Sequence, residues 1–206
     1  MSVAAELPRE AATQVAVVDR TEALDSIFQP DCAAAVWYRG LAPEFEAWIE
    51  SLAAWHLPEG RLVLQANRIE DAVAQVCDMA NMPHSTHRDW LISDIAGLGN
   101  RFAVLMGVDH IRLRLERVSD NACSKFHIDT MTARLVCTYR GTGTQYGVVN
   151  GLPEPDSITT TPTGSPLLLK GHLWPDAPPL QFKHRSPPIK GSGETRLLLV
   201  LDPGEE

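Results

Sequence analysis

The 206-residue sequence lacks the common signatures of nucleotide and hydrolase chemistry. It has no GxxxxGK[ST] loop, no GxGxxG opening a helix, no HExxH and no GxSxG, so P-loop, dinucleotide-binding, zincin and α/β-hydrolase mechanisms have no anchor. It also lacks a CxxC pair, since Cys32, Cys77, Cys123 and Cys137 are scattered. Such spacing gives no reason to expect a disulfide framework. No apolar run approaches the roughly 18 residues of a membrane span. The opening stretch, interrupted by Glu6, Arg9, Glu10 and Asp19, does not have the basic start, apolar centre and cleavage site of a secretory signal. A soluble protein of the reducing cytoplasm is expected.

Basic residues are the scarcer charge, 18 against 26 acidic, for a net charge of −8. An acidic surface repels phosphate backbones and anionic lipid, so neither nucleic acid nor membrane is an expected partner, although a local basic pocket is compatible with it. The sequence does not reveal an oligomeric state.

The periodicity changes along the chain. Residues 1 to about 30 are weakly patterned and read as a leader. Ala33 to Tyr38 reads as a short strand. From Pro43 the residues Phe45, Trp48, Ile49, Leu52 and Trp55 recur every three or four positions, the spacing of an amphipathic helix with proline in its first turn. A second helical face carries Ile69, Ala72, Val73, Val76 and Cys77, and a third runs from Thr86 through Trp90, Leu98 and Leu105. Trp48, Trp55 and Trp90 are expected in the core. Residues 1–107 are thus expected to be mostly helical. Beyond Gly107 the pattern becomes β: His110–Val118 alternates strictly, and Thr132–Tyr139, Pro166–Lys170, Phe182–Ser186 and Thr195–Leu201 read as further strands. The expected class is α+β, a helical N-terminal layer on a β-barrel spanning 108–206, the two forming one compact unit.

The chemistry concentrates in Phe126-His127-Ile128-Asp129. In extended backbone, residues two apart face the same side, so His127 and Asp129 can address one point. An imidazole and a carboxylate supply two ligands of a facial triad, which leaves coordination positions open and suits ferrous iron. The candidate third ligand is His184, at the start of a short strand. Arg196 opens the last apolar strand, where a guanidinium needs an anionic partner; a dicarboxylate cosubstrate fits that need through a bidentate contact. An ion pair with Asp202 or Glu194 is the alternative. By strand parity Tyr139 shares the side of His127 and Asp129 and is a candidate to bind the same carboxylate, whereas Arg134 falls on the opposite side as a structural or solvated cation. Cys123, four residues before His127, would make a zinc site with His127, Asp129 and His184.

HxD, a later histidine and an arginine on the next strand resemble the Fe(II)/2-oxoglutarate-dependent dioxygenase superfamily. The stretches FHIDTMTARLVCTYRGTGTQY, LLLKGHLW and HRSPPIKGSGETRLLLVLD more closely resemble an uncharacterised bacterial domain-of-unknown-function family, often encoded beside zinc-limitation genes. This closer resemblance covers roughly residues 110 to 202. It implies a double-stranded β-helix of the jelly-roll or cupin type, with His127, Asp129 and His184 as iron ligands and Arg196 on the distal carboxylate of 2-oxoglutarate. The implied activity is hydroxylation of a small molecule or protein side chain. The alternatives are a non-redox zinc-binding barrel acting in metal homeostasis and a barrel that serves only as an interaction module.

Overall fold

A computed structural model describes residues 11–176 and 178–204. The first ten residues of the expected leader lie outside them. In chain order the strands are β1 (Gln14–Val18), β2 (Cys32–Trp37), β3 (Gly60–Gln65), β4 (His110–Val118), β5 (Ala133–Arg140), β6 (Gln145–Val148), β7 (Thr159–Thr160), β8 (Leu167–Lys170), β9 (Phe182–Arg185) and β10 (Arg196–Pro203). The helices are α1 (Pro43–Ser51), α2 (Ile69–Met79) and α3 (Thr86–Met106). Among the described residues, no helix is long and apolar enough to cross a membrane.

Seven strands form one sheet in the order β1-β2-β8-β5-β10-β4-β3, and three form a second in the order β7-β6-β9. From β4 onward the chain passes back and forth between them. β4, β5, β8 and β10 join the large sheet, while the His127 bridge, β6, β7 and β9 build the small one. The fold is therefore mixed α and β.

Alternation along the central strands separates two apolar layers. Leu113, Leu115, Leu135, Cys137, Leu197, Leu199 and Leu201 face the helices. Val136, Leu167, Leu169, Leu198 and Val200 face the other way, against Tyr146 and Phe182 of the small sheet. Each such leucine is essentially dry and contributes about 1.5–3 kcal/mol by its burial.

The helical layer is held by local chemistry as well as packing. Ser85 caps α3, its hydroxyl accepting the Arg88 amide at 3.1 Å, and Gly107 ends the helix in the left-handed region with φ 63°. Asp94, on the sheet side of α3, accepts two hydrogen bonds from Arg39 at 2.7 and 2.6 Å and one from the Tyr139 hydroxyl at 2.6 Å. That cluster ties α3 to β5 and to the segment after β2.

The strands expected near 33–38, 110–118, 132–139, 166–170, 182–186 and 195–201 are present as β2, β4, β5, β8, β9 and β10, and the three helices begin where expected. The N-terminal half carries the expected helices and β2, and adds β1 and β3, which extend the large sheet at its two edges. α1 stops at Ser51, and Trp55 falls in a 3-10 turn at Ala54–His56, where it is 70% exposed rather than in the core. The glycine-rich GTGTQYG bends at residues 141–142 and then enters β6.

Candidate metal centre

Residues before and within β9 converge where the two sheets meet. His127 and His184 exchange both backbone hydrogen bonds, each N–H to C=O at 3.0 Å, although no regular strand contains His127. Their rings then lie side by side, centroids 4.5 Å apart. After His127 the chain bends through residues 130–132 to enter β5. That bend is pinned from the β8 side: the Gly171, His172 and Leu173 amides donate to the carbonyls of Thr132, Asp129 and Met131 at 2.9, 2.9 and 3.0 Å. Gly171 permits this closeness, because a Cβ there would lie 2.0 Å from the Met131 carbonyl oxygen.

One ligand atom from each of His127, Asp129 and His184 lies within 4.8 Å of the others. His127 Nδ1 is 2.8 Å from the Lys125 carbonyl. A carbonyl only accepts, so Nδ1 carries the proton and Nε2 keeps its lone pair for a cation. His127 Nε2 is 3.7 Å from Asp129 Oδ1 and His184 Nε2 is 3.3 Å from Asp129 Oδ2. Oδ2 is buried without a hydrogen bond. A buried, unpaired carboxylate oxygen is costly, and a divalent cation between the imidazoles would satisfy it. The donor set of two nitrogens and an oxygen fits Fe(II).

The three groups differ electrostatically. Burial alone would raise the Asp129 pKa, but contacts with His127 and His184 and the charge of Arg134 hold this carboxyl far below the usual range. Contact with Asp129 raises His127, whereas burial lowers His184 and keeps it neutral.

The structure puts the remaining site residues in distinct places. Arg196 is fully buried at the start of β10, with the parity of Leu198 and Val200 between the sheets. Its Nε donates to the Thr142 carbonyl at 2.6 Å and its Nη2 to the Thr138 hydroxyl at 3.2 Å, while buried Nη1 has no partner. Neither Asp202 nor Glu194 pairs with it. Burial pushes its pKa down to about 10, the behaviour of a cation short of an anion.

Tyr139 has the opposite parity, on the helix side, and its hydroxyl is spent on Asp94. It therefore does not join the metal cluster. Arg134 does: its Nη1 donates to Asp129 Oδ1 at 2.6 Å. Alternation does not run unbroken from His127 to Tyr139, because the chain bends at residues 130–132 before β5. Cys123 is exposed and is not among the converging ligands; only its backbone approaches β9, its carbonyl accepting the Ser186 amide at 2.9 Å. Asp202, expected as an alternative partner for Arg196, instead accepts from Arg134 at 2.7 and 2.9 Å. The signal available in sequence was an acid and a base, each alone among apolar neighbours on strands that could pair.

Solved structures with the same architecture include the dioxygenase for auxin oxidation 1 from Arabidopsis thaliana in its binary complex with 2-oxoglutarate. It aligns over 94% of each chain with a TM-score of 0.53 at 10% identity. The rice dioxygenase for auxin oxidation aligns over 92% of this chain and 82% of its own, with a TM-score of 0.50 at 12% identity. The fold is thus similar to the jelly rolls of these dioxygenases. No curated protein matches the sequence. The profile described as protein of unknown function DUF1826 matches residues 18–202, and the chain belongs to that family.

Proposed function

We propose that the protein is an Fe(II)- and 2-oxoglutarate-dependent oxygenase that hydroxylates a small molecule or a protein side chain. The observation that carries this reading is the Asp129 carboxylate, which faces both imidazoles and whose buried Oδ2, 3.3 Å from His184 Nε2, makes no hydrogen bond. The unpartnered guanidinium nitrogen of Arg196 supports it, because an iron site and an anion anchor together are what this chemistry needs. The alternation of β4 to β10 between two sheets supports describing the core as a double-stranded β-helix.

In this reading His127, Asp129 and His184 hold the metal through His127 Nε2, a carboxylate oxygen and a His184 ring nitrogen. Arg196 takes the distal carboxylate of 2-oxoglutarate. Thr138 and Thr142 fix the guanidinium edge that they contact, which leaves Nη1 for the ligand. Arg196 is fully buried on the same side of β10 as Leu198 and Val200, and this exclusion of water strengthens that charge pairing. When bound, iron and 2-oxoglutarate supply the activation of dioxygen and the oxidation of a substrate C–H bond.

Anaerobic protein mixed with Fe(II) and 2-oxoglutarate is expected to develop a weak visible charge-transfer band, absent in Asp129→Ala. Arg196→Gln is expected to weaken 2-oxoglutarate binding by about 10–100-fold, the worth of a charged hydrogen bond, with metal affinity retained. No band, together with tight zinc retention by the purified protein, would overturn the reading.

A further inference from the structure

Asp129 has two carboxylate oxygens, and the protein treats them differently. Oδ1 accepts the Arg134 Nη1 hydrogen bond at 2.6 Å, while Oδ2 is buried without a hydrogen bond, 3.3 Å from His184 Nε2. The rest of the Arg134 guanidinium is already committed. Its Nε and Nη2 form a two-point fork on Asp202 Oδ1 and Oδ2, at 2.7 and 2.9 Å. Asp202 is itself buried, its side chain 4% exposed, with Arg114 Nη2 at 3.7 Å as a second positive neighbour.

A guanidinium is planar, so two contacts along one edge fix the direction of the remaining N–H groups. Nη1 is thereby aimed at Asp129 by a residue on β10 that touches no metal ligand itself. β5 and β10 are hydrogen-bonded neighbours, Leu201 facing Leu135 one residue before Asp202 and after Arg134. The backbone thus carries the fork with little freedom to slide.

We infer that Arg134, steered by Asp202, is a positioning residue that confines Asp129 to a single metal-binding oxygen, Oδ2. This rests on the metal reading given above. Its consequence is a count. Three protein ligands, each giving one atom to a six-coordinate ion, leave three positions free. A carboxylate that swung to offer both oxygens would leave two. Arg134 blocks that swing by keeping Oδ1 engaged.

The test uses Mn(II), whose water-proton relaxivity scales with the number of metal-bound waters, on the full chain without cosubstrate. Wild type is expected to show about three waters, and Arg134→Gln about two, a fall in relaxivity of roughly a third. Arg134→Lys keeps a cationic donor for Oδ1 and is expected to stay near the wild-type value. Asp202→Ala frees the guanidinium and is expected to move toward Arg134→Gln, so the pair is tested even where one variant folds poorly. Far-ultraviolet circular dichroism and thermal melts establish which variants are folded. Wild-type relaxivity in both Arg134→Gln and Asp202→Ala would overturn the inference, as would a wild-type count of two. A wild-type protein that takes up no Mn(II) would overturn the metal reading itself and the inference with it.

Discussion

His184 donates its backbone N–H to the carbonyl of His127 and receives the His127 N–H in return, both at 3.0 Å. Two ligands from distant parts of the chain are therefore brought together by peptide hydrogen bonds, before any cation arrives. The site is built by the fold and does not build it. Protein stripped by a chelator is accordingly expected to keep a cooperative thermal transition. Added metal should raise stability by mass action alone, about 2.7 kcal/mol at a hundred times the dissociation constant. Differential scanning calorimetry with and without metal checks this, and loss of the transition on chelation would refute it.

Gly171 lies under the carbonyls of Met131 and Asp129, at 2.0 and 2.9 Å from the place a Cβ would occupy. Neither backbone oxygen can yield without moving the Asp129 bend. Gly171→Ala is expected to cost roughly 1–3 kcal/mol through overpacking. It should also weaken metal binding by about 10–100-fold through a misaimed carboxylate. Isothermal titration with Zn(II) or Mn(II) reads the second effect. Unchanged affinity would mean that the bend does not set the ligand.

Metal uptake is expected to depend on pH through His127. Contact with Asp129 raises its pKa above the ordinary histidine value, so in apo protein the ring gains a proton while most histidines are still neutral. A metal binds only the neutral ring. Affinity should therefore fall as pH drops through the raised value, approaching about tenfold per pH unit below it. Burial lowers His184, so that ring is expected to take up its proton at lower pH than His127. Zn(II) titrations between about pH 8 and about pH 6 measure the slope, and a flat profile would contradict it.

Asp94 accepts from both Arg39 and Tyr139 in a partly buried setting between α3 and the sheet. Burial raises the Tyr139 pKa well above normal and keeps the phenol a donor. Asp94→Ala leaves the partly buried Arg39 guanidinium with only its Gly164 carbonyl hydrogen bond, for which a loss of about 1–3 kcal/mol is expected. Tyr139→Phe should cost about 1–2 kcal/mol. Neither should change metal or 2-oxoglutarate affinity once unfolding is discounted. A specific loss of cosubstrate binding in Tyr139→Phe would return that residue to the site.

Much of this arrangement is legible in the residues. His127 and Asp129 stand out as an H-x-D pair whose spacing turns both toward one point, His184 as a histidine on a later short strand, and Arg196 because it opens an otherwise aliphatic strand. What escapes local reading is the path between elements. The bend at 130–132 exchanges the expected sides of Arg134 and Tyr139, and only the pairing of β5 with β10 brings Asp202 to Arg134. β3 does alternate, with Leu62 and Leu64 turned inward and Arg61 and Val63 outward, but its partner β4 lies far along the chain. The short strands β6 and β7 are hidden for another reason: four and two residues carry too little pattern to separate them from the turns that flank them.

The fork between Arg134 and Asp202 also bears on inheritance. A lineage that loses the acid leaves a trapped cation beside the carboxylate, and one that loses the base leaves a trapped anion. Natural selection therefore sees the couple rather than either partner. Across descendants these two columns are expected to mutate in tandem, a correlation readable from genomes without purifying any protein.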